Sequence, residues 1–285
     1  MLAAAGVAKA DPRMVSIVEL NDVWKSYDEV QALRGLSLDV YRGEMFGLVG
    51  PNGAGKTTAL RIIVGLLRMD KGLVKVNGYD IGEEPYEYKR FVGYVPETVS
   101  LPDYLTVEEF LIYSGKIRGV PNEQIAQRID FYLRKFDLEG KRKTLVLLLS
   151  RGMKQKVVIA SALMHDPDLL ILDEPLVGID PAGQHRIKEL FNERIEDDKS
   201  VFVSTHMLDT AERMCDRVAI IHRGRNVASG DLKSLQALSE TSEDATLEEV
   251  FLRLTQETEQ EPAETRFERP ERKRRGLFRF SRRTH

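Results

Sequence analysis

The sequence predicts an α/β fold: a parallel sheet forms the core, an antiparallel β subdomain lies beside it, and an α-helical subdomain is inserted between the strands. Three observations lead there. Gly50-Pro51-Asn52-Gly53-Ala54-Gly55-Lys56-Thr57 fills the phosphate-loop pattern G-x-x-x-x-G-K-[ST] at every fixed position. Leu169-Leu170-Ile171-Leu172 is an apolar run ending in Asp173-Glu174-Pro175, as suits a buried parallel strand. Strand–helix alternation resumes over residues 166–230, which calls for a parallel core.

Taken in order, residues 1–13 read as a flexible N-terminal extension, or else Met14 is the true start. Val15 to Leu20 is the first strand-like run. Residues 15–49 and 73–80 carry short alternating runs and turn glycines, as in Lys75-Val76-Asn77-Gly78, and predict the antiparallel β layer. Met45, Phe46, Leu48 and Val49 make a buried strand ahead of the loop. Leu60, Ile62, Ile63, Leu66 and Leu67 predict a helix over Thr58 to Arg68 behind it. Residues 98–165 hold long helical patterns such as Val107 to Tyr113. Ser150 is placed as the N-cap of a further helix whose buried side is Val157, Val158, Ala160, Ser161, Leu163 and Met164. Residues 233–260 are expected to add a helical extension, acidic from Thr241 onward, and residues 261–285 a basic, disordered tail.

Strand, loop and helix in that order form a nucleoside triphosphate site. The glycines let backbone N–H groups wrap around phosphate oxygens, and the helix adds its positive end. The candidate contacts are Gly50, Asn52, Gly53, Ala54, Gly55, Lys56, Thr57 and Thr58, with Lys56 reaching the β- and γ-phosphates and Thr57 ligating Mg²⁺. Asp173 sits where ligands collect, at the C-terminal end of a parallel strand, and is the second Mg²⁺ candidate. Glu174 would orient or deprotonate the attacking water. An acidic strand end can also merely cap the next helix; the phosphate loop tips that choice toward chemistry.

Leu149-Ser150-Arg151-Gly152-Met153-Lys154-Gln155 extends the pattern, and the order of motifs resembles the nucleotide-binding domain of ABC (ATP-binding cassette) ATPases. Leu149 to Met153 is similar to the family signature Leu-Ser-Gly-Gly-Gln, with Arg151 and Met153 as departures and Ser150 and Gly152 kept. The resemblance implies that this segment meets the γ-phosphate of ATP held by an opposing subunit. It implies that Tyr27 stacks on adenine. Gly93-Tyr94-Val95-Pro96-Glu97 resembles the Q-loop, with Glu97 replacing the usual glutamine as a Mg²⁺ and water contact. Leu176 to Asp180 resembles the D-loop, with Asp180 as its acidic residue, and Val201 to His206 the H-loop, with His206 contacting the γ-phosphate. The cassette so defined spans residues 14–232. Ser150 to Gln155, Glu97 and the segment Thr246 to Leu254 are similar to ATPases of ABC-2-type exporters, whose membrane domains are commonly separate chains.

Composition bounds the alternatives. The chain has 285 residues, 42% apolar and 31% charged, with net charge −3. A substantial core is possible and disorder is not the default. Cys215 is the single cysteine, so no internal disulfide forms, which suits a reducing, cytoplasmic setting. No apolar run approaches the roughly 18–20 residues of a membrane helix. A location on the cytoplasmic face of the membrane would then come through a partner, a separate transmembrane permease. The remaining partner expected is a second cassette, identical or paralogous. A soluble ABC-type ATPase acting on nucleic acid or ribosomes is the alternative. One phosphate loop, and no heptad run or cysteine pair between Gly55 and Ser150, count against it. The net charge argues against nucleic acid as a ligand. The arginines of residues 266–285, interleaved with Leu277, Phe278 and Phe280, could instead meet an anionic membrane surface.

Overall fold

The computed structural model describes residues 15–259. The expected N-terminal extension and the basic tail, with its membrane contact, lie outside them. Ten strands and eight α-helices follow in the described chain. Strands β1 (Ser16–Tyr27), β2 (Val30–Tyr41), β4 (Lys71–Val76) and β5 (Tyr79–Asp80) make an antiparallel sheet in the order β2-β1-β4-β5. Strand β3 (Met45–Val49) leaves this layer for a six-stranded sheet with β6 (Val92–Val95), β7 (Leu169–Asp173), β8 (Ser200–Thr205), β9 (Arg217–His222) and β10 (Arg225–Gly230). Its order is β10-β9-β3-β8-β7-β6. The four pairings from β9 to β6 are parallel. The sheet departs from a purely parallel core only at β10, which turns back antiparallel on β9 across Arg223-Gly224, both at positive φ. Every residue of β3, β7 and β8 is buried, as befits strands covered on both faces of a parallel sheet.

Helix α1 (Lys56–Ile63) is shorter than its apolar pattern predicts. Gly65 at φ 71 ends it: Gly65 N donates to Ile62 O and Leu66 N to Arg61 O, the paired bonds of a Schellman cap. Leu66 is left 66% exposed. The helical block comprises α2 (Val107–Ile117), α3 (Asn122–Lys135) and α4 (Arg151–Leu163). Thr106 and Glu109 cap α2 reciprocally. Ile125, Ile129 and Leu133 of α3 share a buried cluster with Val157 and Leu163 of α4, and that cluster continues into Leu170 and Leu172 of β7. α4 is thereby fastened to the sheet. Helices α5 (Pro181–Glu196) and α6 (Leu208–Met214) follow β7 and β8. Two C-terminal helices, α7 (Leu232–Leu238) and α8 (Leu247–Glu259), close a third cluster with Val49, Ala211 and Ile220.

Candidate functional site

β3, β8 and β7 are consecutive neighbours in the sheet, so their C-terminal ends bring the phosphate loop, His206 and the Asp173-Glu174 pair to one edge. The loop turns there because its glycines permit it. A side chain at Gly50 would begin 2.2 Å from Ile221 O, and Gly55 stands at φ 111 as the residue before α1. Ala54 is buried, Asn52 and Gly53 are exposed, and Thr57 and Thr58 are half-buried in the first turn of α1. That turn contains no acidic residue to compete with an anion.

Lys56 is 6% exposed and Nζ donates to Gly50 O at 2.7 Å and Pro51 O at 3.2 Å. The ammonium is thus held by the loop's own carbonyls, 3.8 Å from Glu174 Oε1. Burial lowers its pKa below the ordinary lysine value, against the pull of Glu174, Asp173 and Glu97. An arriving polyphosphate would oppose that lowering.

Glu174 is 7% exposed and adopts φ 49, a left-handed backbone that non-glycine residues seldom take. Three contacts hold it. His206 Nδ1 lies 2.8 Å from Oε1, Thr205 Oγ1 donates to Oε2 at 3.1 Å, and its own N–H donates to Ser204 O at 3.0 Å. Such strain persists where surrounding contacts over-determine it, as at functional sites. Asp173 is 1% exposed; Ser204 Oγ donates to its Oδ1, while Oδ2 has no hydrogen-bond partner. A buried carboxylate oxygen left open is costly unless something meets it. Among the described residues no group of three or more His, Cys, Asp or Glu side chains could hold a metal alone. Mg²⁺ does not need one, since it binds through one or two carboxylates, waters and substrate phosphates.

The other expected residues stand apart from this cluster. Tyr27 ends β1, 44% exposed, with Lys25 Nζ 5.9 Å from its ring centre. Glu97 is exposed just beyond β6 and acts on Lys56 through its field. Ser150 is exposed and caps α4, accepting from Met153 N at 3.3 Å. Gly152 faces the D-loop: a side chain there would begin 3.1 Å from Gly178 O. Asp180 caps α5 through Gly183 N at 3.2 Å and lies 3.5 Å from Lys156 Nζ. These contacts hold its carboxyl below the usual range, the backbone bond first and Lys156 second. Ser204 and Thr205, which hold Asp173 and Glu174, belong to no motif position that the sequence marks for chemistry. The available signal was two hydroxyls closing an otherwise apolar strand before His206.

A phosphate loop, a strand-end carboxylate pair and a histidine on the next strand define a P-loop nucleoside triphosphatase. The profile of the family described as "ABC transporter" matches residues 33–177. The EcsA ATP-binding protein of Bacillus subtilis is 36% identical over 243 residues, 85% of this chain and 98% of the relative. The linearmycin resistance ATP-binding protein LnrL of B. subtilis is 37% identical, over 75% of this chain and 69% of its own length. A solved ATP-binding subunit of an ABC transporter superposes with TM-score 0.80 at 37% identity, over 84% of this chain and all of its own. A dimeric cassette caught after hydrolysis with ADP and Pi superposes with TM-score 0.70 at 27% identity, over 75% of this chain and 98% of its own. The chain belongs to the ABC transporter family and is its ATP-binding, ATP-hydrolysing subunit. Among the described residues no helix is long and apolar enough to cross a membrane.

Proposed function

We propose that this chain powers an exporter: two cassettes close head to tail on two ATP molecules, and hydrolysis reopens them to drive a separate transmembrane permease on the cytoplasmic face of the membrane. The observation that carries the hydrolytic part is the Lys56–Glu174–His206 cluster beside the open Oδ2 of Asp173. Gly50, Asn52, Gly53, Ala54, Gly55 and Thr58 cradle the phosphates, and Lys56 neutralises them once it exchanges the loop carbonyls for phosphate oxygens. Glu174 accepts the proton of the attacking water, and His206 steadies Glu174 and meets the γ-phosphoryl oxygens. Thr57, Asp173 and Glu97 would hold Mg²⁺, which supplies charge neutralisation at the phosphates. Tyr27 stacks on the base. Ser150 and Gly152 serve the ATP of the opposing cassette, and Asp180 lines the same interface. Catalysis here is positioning and charge compensation more than covalent chemistry.

Export is supported by relatives such as the Nod factor export ATP-binding protein I of Cupriavidus pinatubonensis, 38% identical over 77% of this chain and 67% of its own length. The dimer is supported by the ADP-bound dimeric cassette. Glu174→Gln is the test. It should keep ATP affinity, lose turnover by about 10²-fold or more, and accumulate as an ATP-bound dimer in gel filtration. Near-normal hydrolysis would overturn the role of Glu174; a persistent monomer with bound ATP would overturn the closed pair.

A further inference from the structure

Helix α6 begins two residues after His206, and its start is hydrogen-bonded into the hydrolytic cluster. Thr205 Oγ1, which donates to Glu174, accepts from Met207 N at 3.0 Å. The carbonyl of Met207 accepts the first helical bond, from Ala211 N at 3.1 Å. The far end of α6 is tied to the C-terminal helix. At the start of α8 a capping box satisfies two N–H groups: Thr246 N donates to Glu249 Oε2 and Glu249 N to Thr246 Oγ1. A third, Leu247 N, has no acceptor in its own helix. It donates to Glu212 Oε2 of α6 at 2.7 Å, a short charge-assisted bond across 35 residues of sequence. Beneath it Ala211 packs with Leu247, Val250 and Leu254 in the cluster that also contains Val49, the residue before Gly50. α8 thus touches the helix behind His206 and shares a buried cluster with the strand ahead of the phosphate loop.

We propose that Glu212 is a positioning residue for hydrolysis: by binding the first turn of α8 it fixes α6, and through Met207 and Thr205 it fixes His206 against Glu174. The C-terminal helix is then part of the hydrolytic machinery and a place from which turnover can be adjusted. This rests on the roles given to Glu174 and His206 above. Those roles require the two side chains to stay in hydrogen-bond register, and small displacements of positioned groups cost rate steeply. Nucleotide binding is a different matter, because the phosphate loop makes it without α6.

The test is a split between kcat and KM for ATP in the full chain. Glu212→Ala should lower kcat by about tenfold and leave KM within about twofold. Glu212→Gln, whose amide oxygen can still accept from Leu247 N, should restore most of kcat. A purely structural Glu212 would lower the melting temperature and leave kcat per folded molecule unchanged, and that result overturns the proposal. If Glu212→Ala does not fold, Glu212→Asp, one methylene shorter, carries the same test with the same readings. Normal hydrolysis by Glu174→Gln would instead break the underlying assignment. An inactive Glu174→Gln beside a fully active Glu212→Ala would break this inference alone.

Discussion

Asp173 and Glu174 are buried among partners from their own chain, whereas Ser150 and Arg151 open α4 toward solvent. In the first region each contact comes from a neighbouring strand end, and the left-handed backbone of Glu174 is held by three separate bonds. In the second, Ser150 accepts one N–H of its own helix, and the remaining first-turn donors have no helical acceptors. A buried charge survives only where the protein completes its environment. An exposed helix start can wait for its anion. Under the head-to-tail closure proposed above, the contrast would let one chain hold a whole hydrolytic cluster and half of a phosphate clamp.

The sharpest way to break this contrast is Lys56→Ala. The buried cluster would lose its cation, and ATP affinity should fall by about 10²-fold, the loss expected when carboxylates and phosphates are left without their counter-charge. Equilibrium titration with a fluorescent ATP analogue measures it. Retained affinity would show that the loop's backbone alone binds the phosphates.

A second prediction concerns the far end of α4, which is closed where Ser150 is open. His165 follows it, with Nε2 3.1 Å from Val92 O. Burial, then Arg118, pushes its pKa down to about 4 from 6.5. The unfolded chain therefore takes up a proton from pH 6.5 downward, while the folded chain does so only near 4. Stability should fall progressively across that window and level off below it, by about 1–3 kcal/mol after allowing for partial solvent access. Urea midpoints between pH 7 and 4 should show this decline, and His165→Gln should flatten it.

The smallest expected effect lies at the exposed end. Ser150→Ala should lower ATPase activity by about tenfold at most, the worth of one hydrogen bond to a charged group, and leave ATP binding by a single cassette intact. Met153→Gln should cost less, because Met153 contributes no side-chain donor. Steady-state rates with parallel binding titrations give the ranking. Equal losses in both variants would show that Ser150 acts only as a helix cap.

Local chemistry made much of this legible. The glycines of the loop, the apolar runs of β3, β7 and β8, and Ser150 ahead of an apolar helix face each announce themselves within a few residues. The end of α1 was not legible, because Leu66 and Leu67 continue the helical period past Gly65. The antiparallel direction of β10 is not legible, because a strand's direction depends on the turn before it and not on its own pattern. The site divides in the same way. Lys56, Asp173, Glu174 and His206 are marked by position in their motifs, and the fold gathers them. Thr205 and Glu212 act on groups from other strands and helices, and no spacing along the chain encodes those pairings.

Gly47 of β3 lies so near the sole cysteine that a side chain there would begin 2.9 Å from Cys215 Sγ. Burial first, then Asp216 and Glu44, pushes that thiol up to about 12. Only a thiolate attacks an alkylating reagent, so near neutral pH the folded chain carries almost none of the reactive species. Cys215 is half-buried, so labelling should be slow in the folded chain and quicken wherever α6 shifts from the sheet. With no other cysteine to confuse the signal, the labelling rate becomes a clock for movement of the end of α6 against β3.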